Sequence, residues 1–314
     1  MLTVLEVTLP VFALVFCGWL AARRRLMSAE AVAGINAFVF LFALPAMLFR
    51  AVASQPVARI VDLRFLSAYL LAAAIVFFGT RLMSRAVTTD ASQRTGFAFA
   101  ATHGNVGYLG LPLMAQLGND AWVPGMVMAM IADIFVVIVV SILLFEFART
   151  GGDAAAPLGV RLRAALGGLL RTPLILGIGA GLAFSVADAR LPAAADAFVK
   201  LLAQAAGPCA LFAIGASLGG RPVVLDRSVA SLIGAKLVLH PLLVAGTMLL
   251  LGADPELAAI GVLAAALPSA SNAFILSQRY GVDTRPIGAA IVVGTFAAAG
   301  TVSFVIWALG LRQS

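Results

Sequence analysis

Two asparagines stand where a hydrocarbon-loving chain has least use for them. Asn105 lies in the run FAFAATHGNVGYLGLPLM and Asn272 in LAAALPSASNAFIL. An amide side chain carries both donor and acceptor capacity, and burying it in an apolar medium is costly unless it is bonded. Helix breakers crowd around each amide: Gly104, Gly107, Gly110 and Pro112 beside the first, and Pro268, Ser269 and Ser271 beside the second. Glycine costs about 1 kcal/mol and proline about 3 in a helix interior, so both segments are expected to be interrupted at their centres. An interruption frees backbone N–H and C=O groups that lipid cannot satisfy, so such backbone must line a cavity or be covered by protein. The resumed half-helices point positive N-terminal ends at whatever occupies that cavity. Two broken helices that cross would make a compact polar site suited to a carboxylate, with Gly104, Asn105, Gly107, Tyr108, Ser269, Ser271 and Asn272 as its candidate residues. In either segment alone, the same glycines and prolines also suit a kink or close helix packing.

Ionisable residues at membrane depth form a second set. A charge at the bilayer centre costs about 2.5–3.5 kcal/mol on insertion scales and is a functional candidate by default. Asp133 sits within MAMIADIFVVIV and suits a proton, a sodium ion or a cationic partner; a structural polar contact is the alternative. Lys236 and His240 are four apart and share one helix face. Lys236 either neutralises Asp133 or a bound anion, or snorkels to the membrane surface. His103 beside the glycine turn suits pH sensing, substrate contact or a bond to a freed carbonyl. Tyr108 is a candidate gate or stacking surface, or an aromatic packed in a helix interface; Glu6 reads as interfacial, and Met126, Met128 and Met130 read as packing.

Catalytic constellations are absent from the sequence. It has no phosphate loop of the GxxxxGK type, no HExxH and no nucleophile elbow. Two histidines on different segments offer no metal site, and Cys17 and Cys209 both lie in apolar segments, so no disulfide framework is expected. No cofactor is expected beyond a coupling ion, H⁺ or Na⁺.

Composition says what solvent these residues meet. The 314-residue chain is 62% hydrophobic and 11% charged, against about 25% charged in a soluble domain. An all-α integral membrane protein is expected, with ten spans at about 3–22, 33–53, 65–83, 95–117, 122–146, 173–189, 197–218, 228–251, 256–278 and 286–310. The net charge of +7 does not point to nucleic acid, because the cations sort by loop. Arg50, Arg59, Arg64, Arg190, Lys200 and Arg312 lie on one side, Lys236 lies within a span, and the remaining arginines lie on the other side. The positive-inside rule then puts both termini outside the cytoplasm. The N-terminal segment, which carries Glu6 and no basic leader, reads as a first span rather than a cleaved signal.

The chain also reads as two copies of one unit. Shifting by 163 residues lays Pro10 on Pro173, Gly18 on Gly181, Pro45 on Pro208, Leu48-Phe49 on Leu211-Phe212 and Ala53-Ser54 on Ala216-Ser217. Five spans per copy invert the second copy in the membrane and put a substrate site at the midplane. The units expected are 1–146 and 173–314, joined by a basic cytoplasmic linker at 147–172.

GNVGYLGLPL at 104–113, with PSASNAF at 268–274, resembles the auxin efflux carrier family in its short bacterial form, related to the bile-acid/sodium symporter-like folds. The resemblance spans the chain. It implies crossing broken helices in the fourth and ninth spans, a scaffold and a transport domain each built from both repeats, a homodimer, and elevator-like movement of an organic anion. It further implies that Asn105 and Asn272 contact the substrate carboxylate and that Pro112 and Pro268 mark the crossover. The function expected is secondary transport of a small mono- or dicarboxylate, auxin-like molecules included, in the bacterial inner membrane. A cation antiporter or channel-like conductor using Asp133 is the competing expectation. An enzyme or receptor is disfavoured by the lack of clustered acids, histidines or a sensory domain.

Overall fold

The structure, a computed structural model, describes residues 2–54, 62–117, 122–149, 159, 173–219 and 225–311. The linker expected at 147–172 lies almost wholly outside them, as does the side chain of Glu6. Among the described residues every element is helical, and the β pairing recorded is one isolated bridge.

Side-chain caps start several of the helices. Helix α1 spans Leu2–Arg23. Helix α2, Ala29–Ala53, starts where Ser28 Oγ accepts the Ala31 N–H at 3.2 Å. Helix α3, Leu63–Ala86, starts where Asp62 accepts the Phe65 N–H at 2.8 Å. Such caps satisfy N–H groups that lack an intrahelical partner. Helix α4, Ala91–Thr102, is capped by Asp90. Helix α5 is a wide π-turn at Val106–Gly110 running into Leu111–Leu117. Then come α6, Val123–Ala148, α7, Pro173–Val186, and α8, Ala193–Leu218. Asp226 caps α9, Arg227–Leu250, and Asp254 caps α10, Pro255–Ala266. Helices α11, Ser271–Arg279, and α12, Arg285–Ala308, complete the chain. Six of these (α2, α3, α6, α8, α9 and α12) are long and apolar enough to cross a membrane. Helices α7 and α10 are shorter and apolar.

Two groups of helices form, each drawing on both halves of the sequence. In one, α1 packs along α8 and α7 along α2, with α2 against α8. Glycines allow these contacts. A Cβ on Gly18 would lie 2.0 Å from the Phe212 carbonyl oxygen, and one on Gly215 would lie 1.8 Å from that of Val15. On the other side, a Cβ on Gly181 would lie 2.8 Å from the Phe49 oxygen, and one on Gly177 would lie 2.6 Å from that of Pro45. In the second group, α3, α4, α6, α9, α10 and α12 pack around a core that includes Phe65, Tyr69, Phe99, Met126, Leu263 and Ile291.

Candidate substrate-binding site

Helix α4 stops at Thr102 and α10 at Ala266, and the segments after them run antiparallel past each other. Asn105 N–H donates to the Pro268 carbonyl at 2.8 Å, and Ala270 N–H donates to that of His103 at 3.1 Å. Gly104 and Ser269 form the isolated bridge between these bonds. This pairing satisfies backbone that a broken helix would otherwise leave bare. Local sequence dictates the break. Leu267 precedes Pro268 and takes the extended conformation that proline imposes on its predecessor. Gly104 fits because a Cβ there would sit 3.2 Å from the Ala264 oxygen. Gly110 lets α5 close on Leu267, whose Cδ1 would be 2.6 Å from an added Cβ. Ser269 is buried and donates its hydroxyl to the Ala100 carbonyl at 2.6 Å, tying the crossing to the end of α4.

The crossing forms one wall of a cavity of about 570 Å³, within the range of small-ligand sites. His103, Gly104, Asn105, Val106, Gly107 and Tyr108 line it, with Asp133 and Met130 from α6 and Ser271, Asn272 and Ile275 from α11. The facing wall comes from the other helix group: Asn36, Phe40 and Leu44 of α2, Leu174 of α7, and Ile214 and Ser217 of α8. Asn105 is buried and Asn272 exposed. Helices α5 and α11 both begin at this cavity, and neither start is capped by a side chain. Their N-terminal ends therefore give the cavity a positive backbone potential.

Behind the crossing lies a buried polar cluster. Asp133 Oδ2 accepts the Gly104 N–H at 2.9 Å and lies 3.5 Å from His103 Nδ1. Its Oδ1 is the acceptor for Tyr69 OH at 3.5 Å. Phe99 stacks on the His103 ring, with centroids 5.0 Å apart. Lys236 is 1% exposed, so its ammonium does not run to the membrane surface. It donates to the Ala265 carbonyl at 2.7 Å, lies 3.1 Å from His240 Nδ1 and interacts electrostatically with Asp133. Carbonyls freed by the end of α10 give the ammonium partners at depth, which removes the reason to snorkel.

Lys236 and His240 stand behind Gly104 rather than on the cavity wall. Pro268 contributes a backbone acceptor, and Pro112 lines a separate cavity. Met126 and Met128 are packed in the core, whereas Met130 reaches the cavity. Sequence reasoning passed over Asn36 and Ser217. Asn36 Nδ2 donates to Ser217 Oγ and to the Val32 carbonyl, each at 3.1 Å. The available signal was a lone amide within AVAGINAFVFLFA and the place of Ser217 opposite Ser54 in the repeat.

The membrane transport protein family matches residues 3–306 of this chain. The chain belongs to that family. Its transporters are the auxin efflux carriers that the crossing motifs resemble. A Rhizobium meliloti (strain 1021) protein named "Putative malonate transporter" is 34% identical over 310 residues, covering 95% of this chain and 93% of that protein. The Escherichia coli (strain K12) "Uncharacterized transporter YfdV" is 26% identical over 297 residues, 91% of each chain. The mouse "Lysosomal cholesterol signaling protein" is 26% identical over 325 residues, and the match spans only 37% of its length. Membership in the family and the long apolar helices make this chain a multi-pass membrane transporter.

Proposed function

We propose that this family member carries a small organic anion of the malonate type across the bacterial inner membrane, using the crossing cavity as its substrate site. The observation that carries the proposal is the convergence of two uncapped helix N-termini and the amides Asn105 and Asn272 on one cavity of about 570 Å³. Backbone dipoles and neutral amides bind a carboxylate without a fixed cation and leave it free to depart. The relative named for malonate, similar over nearly its whole length, supports a dicarboxylate.

Alternating access fits the two helix groups. The cavity lies between α2, α7 and α8 on one side and the crossing with α6 and α11 on the other, so sliding one group against the other exposes it to each face in turn, as in an elevator. Contact symmetry supports two inverted five-helix repeats. Adding 163 to one partner and subtracting it from the other turns the Gly18–Phe212 contact into Gly181–Phe49, a contact that is present. A shift of 165 turns the Asn105 N–H to Pro268 bond into the Ala270 N–H to His103 bond, as an antiparallel pair about a two-fold axis requires. The ten expected spans, both termini outside and a homodimeric working unit complete the reading.

The buried charges break this symmetry. Asp133, Lys236 and His103 fall on Phe296, Ala73 and Ala266 of the opposite copy. A carboxylate at the anion cavity opposes substrate binding unless it is neutralised, so Asp133 is the proposed coupling group. H⁺ is favoured over Na⁺, because the buried Lys236 ammonium already acts electrostatically on the carboxylate as a cation.

Malonate counterflow into proteoliposomes tests the proposal. Losing a hydrogen bond to a charged group costs about 1.5–3 kcal/mol, or about ten- to a hundredfold. Asn105→Ala or Asn272→Ala is expected to reduce counterflow by at least about tenfold at unchanged thermal stability. Full counterflow in both variants contradicts the site. The wall-lining carboxylate of Asp133 favours one second reading, a cation conductor, which requires Na⁺ or H⁺ flux without any organic anion and its loss in Asp133→Asn.

A further inference from the structure

A second cavity, of about 430 Å³, continues the first along the same three helices. On α2 the lining passes from Asn36, Phe40 and Leu44 to Met47 and Arg50; on α5 it passes from Tyr108 to Pro112 and Gln116; on α8 it passes from Ser217 and Ile214 to Gln204 and Lys200. Tyr108 and Met47 pack on the Leu44–Ala210 cluster, which puts an apolar layer between the two spaces. Beyond that layer a mostly apolar lining carries four polar side chains, Arg50, Gln116, Lys200 and Gln204, of which Gln116, Lys200 and Gln204 are exposed. Arg50 is held by Asp196, through its carboxylate and, at 3.3 Å, its backbone carbonyl. Asp196, Lys200 and Gln204 are spaced by four on one face of α8. Among the described residues no carboxylate pairs with Lys200. Among the described residues, the charges at this cavity are therefore the Arg50–Asp196 pair and the Lys200 ammonium.

We propose that this second cavity is an anion-binding vestibule, in which Lys200 and Gln204 hold a carboxylate of the transported organic anion between bulk water and the crossing site. The inference rests on the transport reading above for the identity of the ligand. A purely long-range role for Lys200 is disfavoured by distance. Lys200 and Ser217 are separated by about 25 Å along α8 at 1.5 Å per residue, more than twice the screening length of about 10 Å at 0.1 M salt. At about 0.1 M salt an effect of Lys200 on affinity must therefore come from binding near Lys200 itself.

Two experiments test this, both with malonate as the probe. In proteoliposomes at about 0.1 M salt, with substrate added to one face at a time, Lys200→Gln is expected to raise the malonate KM about three- to fivefold and from one face only. Vmax should hold, the difference should vanish at high salt, and Lys200→Arg should restore the wild-type value. An unchanged KM from both faces, or an equal rise from both, overturns the vestibule. The second experiment needs no transport. The chain has two lysines, Lys200 and Lys236, and Lys236 is 1% exposed, so an amine-acylating reagent reads Lys200 directly by peptide mass spectrometry. Malonate should slow that acylation in Asn105→Ala protein, whose crossing site is impaired. Equal rates with and without malonate overturn the proposal. Absence of wild-type counterflow together with intact protection of Lys200 would instead indict the transport reading alone.

Discussion

Replacing Asp133 with asparagine keeps the shape of the side chain and removes its charge, which isolates the electrostatic role of the buried cluster. The amide oxygen of an asparagine can still accept the Gly104 N–H that Asp133 Oδ2 now takes at 2.9 Å. What is lost is the negative charge facing Lys236 and His103. Asp133 and Lys236 form no direct salt bridge and act on each other at longer range; removing one partner of a contact pair costs about 3–5 kcal/mol, which sets the upper bound here. Lys236 keeps its bond to the Ala265 carbonyl and its contact with His240, so at most the lower end, about 3 kcal/mol, is expected. Lys236→Met alone should cost a similar amount by stranding Asp133. The double variant removes both charges and should lie within about 1 kcal/mol of wild type. Unfolding of the purified protein in mixed micelles, followed by intrinsic fluorescence, gives the three free energies. Additivity of the single costs to within about 0.5 kcal/mol would refute the idea that Asp133 and Lys236 compensate each other.

Two further outcomes follow from the packing. Gly215→Val should destabilise by about 3 kcal/mol, the upper end for overpacking, because its Cβ would meet the Val15 backbone at 1.8 Å. Gly34→Ala, inside α2 where an added Cβ meets nothing within 4 Å, should leave the melting temperature unchanged or raise it, by up to about 1 kcal/mol of stability, and a matching loss there would show that glycine content rather than contact matters. Gln93 exchanges two 3.0 Å bonds with the backbone of Asp283. Gln93→Leu should therefore cost about 1–2 kcal/mol, read in the same unfolding assay.

Much of the helix order was legible in the sequence, because apolar runs and glycine or proline breaks are local signals. The 163-residue shift picked out two close contacts. Its landmarks Gly18 and Gly181 are positions where neighbouring backbone comes too close for a Cβ, so the residue type records the contact. Other features depend on three-dimensional neighbours. Asn36 looked like an isolated amide until α2 and α8 lay side by side and gave it Ser217 as an acceptor. Lys236 could be read as snorkelling because nothing in the sequence announces that Ala265, across the crossing, offers its carbonyl. Which wall of the cavity each residue occupies depends on how the two helix groups dock, and hydrophobic periodicity in a lipid-solvated helix does not encode that.

Equilibrium binding of malonate to the purified protein, by titration calorimetry, tests the crossing-site assignment most directly. A bound ligand at about 100 times its Kd should also raise stability by about 2.7 kcal/mol. Wild-type protein should bind malonate saturably, with the affinity weakened by at least about tenfold in Asn105→Ala and in Asn272→Ala. The same affinity in all three proteins would contradict a carboxylate site at the crossing.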